Sequence, residues 1–158
     1  MSKFPTLSET HKRSIAVSLG LLDERLGYFE EIARGREVRS VMRHEVNRLS
    51  PSQRKKLLAE IARMRGFLQE IKETLGLDAK TVDLAREIWA SSLAFWEVLV
   101  ETEAKYLRRY GDIPAGLGKY LDPKIEALIE GLSALSEIAS DGEGQKERDA
   151  EGGPSGSG

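Results

Sequence analysis

Three segments of the chain step their apolar residues by four and three. They are Ile15, Leu19, Leu22, Leu26 and Phe29; Leu57, Ile61, Met64, Leu68, Ile71 and Leu75; and Leu121, Ile125, Leu128, Leu132 and Leu135. That step lays side chains along one stripe of an α-helix. A striped helix of this kind owes most of its stability to covering the stripe. The pattern therefore predicts an all-α fold, a four-helix bundle of up-down type. The length of 158 residues suits one domain, which is assigned to residues 1–140.

Boundary signals place the helices. Helix one is expected from about Ser8 to Arg34. Thr6 with Glu9 fits a capping box, Ser8 is a rival cap, and Gly35 is the stop. Helix two has Ser50 as cap, Pro51 in the first position and Gln53 three residues after the cap. It is expected to end near Leu75, with Gly76 and Leu77 as a Schellman-type stop. Between these two, Val38, Val41, Met42, Val46 and Leu49 are spaced for a short extra helix, or for a continuation of helix one past a bend. Helix three is expected from Asp78 to Tyr110, before Gly111 and Pro114, with the widest apolar face. Asp122 and Pro123 repeat the cap-then-proline signal, so helix four is expected from there to about Ser140. The preceding connection carries at most a turn near Gly118–Leu121. Residues 141–158 hold six glycines and one apolar residue, Ala150. Such a composition cannot offset its ordering entropy, and this segment is expected to be a disordered tail.

Composition excludes several chemistries. There is no cysteine, so there is no disulfide, thiolate nucleophile or cysteine-bound metal. The most apolar window, Trp89 to Val100, is short and contains Glu97, too short to span a bilayer. The chain is read as soluble and, by default, cytoplasmic, with no membrane partner. No glycine-rich phosphate loop is present, because GLGK at 116–119 lacks the spacing and follows no strand. Glu97 and Glu101 share a helix face with Glu103 nearby, but no Glu-x-x-His pair accompanies them. No metal site and no cofactor is therefore expected.

The net charge of -2 is unevenly spread. Residues 34–65 hold ten Lys/Arg against three acids, a net of +7, while residues 66–104 come to -5 and residues 121–158 to -6. Such asymmetry fits helices that attract each other within a bundle or an oligomer, and it also fits a face for an anionic partner. Arg36, Arg39, Arg43 and Arg48 are the candidate nucleic-acid or anion contacts. The first three would share a helical face. Several phosphate contacts would make such binding salt-sensitive, but no aromatic residue is interleaved for base stacking.

Within the same stretch, Arg39-Ser40-Val41-Met42-Arg43-His44 resembles the Arg-x4-6-His motif of the HEPN ribonucleases. The resemblance implies a helical bundle acting on an RNA phosphodiester, with Arg39 and His44 as catalytic residues and Arg43 or Arg36 on phosphate. An arginine fork holds phosphate and a histidine moves protons near neutral pH. The alternative reading makes His44 a solvated residue on a polar face. Trp89 and Trp96, seven apart around Ser92, with Tyr106 and Tyr110 beyond, are read as core packing. They are kept as candidates for a small-molecule pocket or a partner surface. No coherent catalytic constellation emerges. The leading expectation is a non-enzymatic protein-protein interaction module, an adaptor, scaffold or assembly subunit capable of self-association. The alternative is a nucleic-acid-binding bundle, in its sharp form a HEPN-like ribonuclease.

Overall fold

In the computed structural model the described residues are Phe4 and 6–151, with side chains to residue 140. They form five α-helices and one 3-10 turn, with no strand beyond an isolated bridge. The chain divides into two compact units, Met1–Thr81 and Val82–Gly158. No helix is long and apolar enough to cross a membrane among the described residues.

The first unit is an antiparallel pair, α1 (Glu9–Ala33) and α2 (Pro51–Leu75). Ser8 caps α1, accepting from the His11 backbone N–H at 3.1 Å. Ser50 and Gln53 form the expected reciprocal capping box on α2. Gly76 takes a left-handed conformation, and the Leu77 N–H returns to the Lys72 carbonyl at 2.9 Å, which ends α2 as anticipated. Leu26, Ala33, Ile61 and Leu77 are buried, so the four-three stripes form the seam. Arg65 clamps the pair from α2, bridging Asp23 and Glu30 of α1.

Residues 36–49 depart from the expected helix. They form a short β-ribbon: Arg39 and His44 make an antiparallel bridge, Ser40 N–H donates to the Arg43 carbonyl at 2.8 Å, and Glu45 N–H donates to the Val38 carbonyl at 2.9 Å. The cause is local. Gly35 sits at φ +100°, turning the chain out of α1, and Asn47 then ties the returning strand to the helix end. Its side-chain amide donates to the Ile32 and Arg36 carbonyls at 2.8 and 2.9 Å. The β-branched Val38, Val41 and Val46 suit a ribbon as well as a helix.

The second unit pairs α3 (Leu84–Val100) with α5 (Leu117–Glu151) in antiparallel fashion. The single long helix expected over 78–110 is broken. Asp83 caps α3 through the Ala85 and Arg86 N–H groups. The chain turns after Val100 and resumes as α4 (Ala104–Leu107) and a 3-10 turn (Arg108–Tyr110). Asp122 does not cap its own helix; its carboxylate accepts from the Ala104 N–H at 2.9 Å. Helix α5 already begins at Leu117 and carries Pro123 inside it, because Leu117 and Leu121 extend the stripe of Ile125 upstream in steps of four. The α5 backbone runs past Ser140 to Glu151. Of the tail expected at 141–158, the side chains throughout and residues 152–158 entirely lie outside the described residues.

Candidate functional site

The ribbon sorts its charged side chains by face. Successive residues of a strand alternate between sides. On the helix-facing side, Arg36 is half-buried and donates to both Glu45 and Glu31, at 3.2 and 2.6 Å. Glu45 also receives the Val38 N–H at 3.2 Å and lies 3.3 Å from Arg43. The Arg36 guanidinium holds the Glu45 carboxyl below its ordinary range against the opposing effect of burial, with the Val38 N–H and Arg43 helping. The Arg36 ring of contacts is completed by the Tyr28 ring at 5.2 Å. Arg36 and Arg43, expected on one phosphate-binding face, are thus engaged by carboxylates that hold the ribbon closed.

Arg39 and His44 lie on the other side. The two flanking hydrogen bonds bracket them, which makes them a non-hydrogen-bonded antiparallel pair, the arrangement that brings opposed side chains closest. Both are exposed. Arg39 has no carboxylate within ion-pair distance among the described residues, and the same holds for Arg48, Arg54, Lys55 and Lys56. On an α-helix a spacing of five would set positions 39 and 44 on different sides; the ribbon is what joins them. At its tip, Val41 and Met42 are each 93% exposed. The spacing read as a helical stripe gave no signal for this tip.

The rest of the basic block pairs inside its own unit: Arg34 with Glu30, Arg65 with Glu30 and Asp23, and Arg63 with Glu60. Glu101 and Glu103 pair locally with Arg109 and Lys105 rather than with that block. Among the described residues no three His, Cys, Asp or Glu side chains converge as a metal site would require.

In the second unit the seam runs along Ser92, Ala104 and Ile125, all buried. Ser92 spends its hydroxyl on the Ile88 carbonyl at 2.7 Å, so a polar residue sits in the seam without an unmet bond. A helix turns about 100° per residue. Measured from Ser92, Leu84, Ile88 and Phe95 fall to one side, and Trp89, Leu93 and Trp96 to the other. On α5, Leu128 and Leu135 fall on the same side of the hairpin as Ile88 and Phe95. All of these are exposed large apolar residues, from Trp89 to Leu84 at 69%. An open cleft of about 430 Å³ follows the first side, lined by Leu84, Ile88, Ser91, Ser92, Phe95 and Leu132, with Glu87 at its edge. The tryptophans do not line it. Tyr106 and Tyr110 lie off the seam, under Lys105 and Arg109 at 4.9 Å each.

No protein-family model matches the chain, and no curated protein or solved structure does either.

Proposed function

We propose that the protein is a helical interaction module that associates with a second copy of itself through the α3/α5 hairpin. The observation that carries this reading is the apolar side formed by Leu84, Ile88, Phe95, Leu128 and Leu135. Each is a large side chain left half exposed or more, contributing roughly 100 Å² of apolar surface, or about 500 Å² together. That is apolar area enough for the centre of an interface of standard size, about 800 Å² per partner, with polar residues around it. Two hairpins laid together by this side make four antiparallel helices, so the up-down four-helix packing is completed between copies. Catalysis has no part in this reading.

The test is light scattering across a concentration series on the full chain. The expected result is a dimer that dissociates in the double variant Ile88→Glu/Phe95→Glu and persists in Trp89→Glu/Trp96→Glu, on the opposite side. A monomer at every concentration would sink the reading. So would a dimer indifferent to the first variant while both variants keep full helical ellipticity.

A further inference from the structure

We infer that the 36–49 ribbon is a docking arm for duplex DNA, with Val41 and Met42 entering the major groove and Arg39 and Arg48 on the flanking phosphates. The inference stands on the first unit alone and is independent of self-association through α3/α5.

Charge comes first. Two of the acids near the ribbon are already engaged: Glu31 and Glu45 are bound by Arg36, and Glu45 also by Arg43. Arg39 and His44 stay exposed opposite each other, Arg48 is exposed further along the chain, and Glu37 is the exposed carboxylate among them. Exposed Lys55 and Lys56 follow on the first turns of α2. An anionic partner is what this surface fits.

Rigidity and shape select among anions. The tip is exposed yet held, because the Arg36–Glu45 pair, the Val38 and Ser40 backbone bonds and the Asn47 tie fix both strands. Two residues on each arm separate the Val38–Glu45 link from the tip, three steps of extended chain or about 10 Å. The B-form major groove is about 12 Å wide and about 8.5 Å deep and admits a two-stranded ribbon, whereas the minor groove is only about 6 Å wide. The major groove of A-form RNA is too narrow to be read by side chains. Single strands are bound largely by stacking on aromatic rings, and the ribbon carries none between Phe29 and Phe67. At the groove floor, valine and methionine side chains make apolar contact of the kind thymine methyl groups offer.

The experiment is fluorescence anisotropy with the full chain and a labelled DNA duplex of about 20 base pairs, from low to moderate salt. Single-stranded DNA, duplex RNA and polyglutamate run in parallel. Binding of the duplex is expected to weaken steeply with salt. Arg39→Ala/Arg48→Ala should cut the slope of log affinity against log salt by about 2. Val41→Ser/Met42→Ser should lower duplex affinity several-fold with the slope unchanged. All four positions are exposed, so an unchanged circular dichroism melt certifies each variant as folded. Absence of duplex binding at low salt overturns the proposal, as does equal affinity for duplex RNA or single strands, or binding that ignores both variants. Preferred binding of polyglutamate would reassign the arm to an acidic protein. Cleavage of an RNA strand that is lost in His44→Ala would reassign it to phosphodiester chemistry.

Discussion

Arg39 and His44 oppose each other across a bridge whose two bracketing hydrogen bonds run Ser40 to Arg43 and Glu45 to Val38. Their proximity is a property of the backbone, because among the described residues neither side chain is held by an ion pair or a side-chain hydrogen bond. Whatever positions the ribbon therefore positions this pair. The elements that do so are Gly35, the Arg36–Glu45 pair and Asn47.

Gly35 is the first of these to test. Its φ of +100° is one that side-chain-bearing residues rarely adopt, and an added Cβ would lie 2.9 Å from Arg54 Nη1. Gly35→Ala is expected to destabilise the first unit by about 1–2 kcal/mol, mostly through the backbone, since the end of the Arg54 side chain can shift. Urea unfolding would measure it. Gly20→Ala serves as the control: it lies mid-helix with open space around it, and should be stabilising by up to about 1 kcal/mol.

Acid should loosen the ribbon. Glu45 is held below the ordinary carboxyl range chiefly by its hydrogen bond from Arg36, and Glu30 likewise by Arg34. A depressed folded-state pKa means that the stabilisation is present above the unfolded value of about 4.3 and disappears as pH falls through the folded value. The melting temperature is expected to fall below about pH 4. Glu45→Gln should melt lower at neutral pH and show a shallower acid decline. Identical acid profiles for the two proteins would refute this account of the pair.

Ser92 should tolerate loss of its hydroxyl and resist enlargement. It is 5% exposed, and its hydroxyl bonds only within its own helix. Ser92→Ala is expected to change stability by less than about 0.5 kcal/mol, whereas Ser92→Leu should cost about 1–3 kcal/mol by forcing α3 and α5 apart. Chemical denaturation followed by tryptophan fluorescence reads both, since Trp89 and Trp96 flank the position.

Asp122 caps α4 from within α5. Its carboxylate takes the Ala104 N–H at 2.9 Å. Asp122→Ala is expected to cost about 1 kcal/mol and to raise hydrogen exchange at Ala104–Leu107 before any change in α1 or α2. Equal exchange in both proteins would show that the four-residue helix is held by packing instead.

Local chemistry was legible from the sequence alone. The four-three stripes determined which faces of α1, α2 and α5 would be apolar. Ser50, Pro51, Gln53 and Gly76 determined both ends of α2, because caps depend on residues within a few positions of one another. Contacts distant in sequence decided the rest. Asp122 and Pro123 carry a start signal, yet the stripe from Leu117 places Asp122 inside a helix, where it serves Ala104 instead. The apolar spacing at 38–49 suited a helix until Gly35, Asn47 and the Arg36–Glu45 pair folded it back on itself. Only that folding brings Arg39 to His44, because a strand pair joins residues by register while a helix joins them by a fixed rotation.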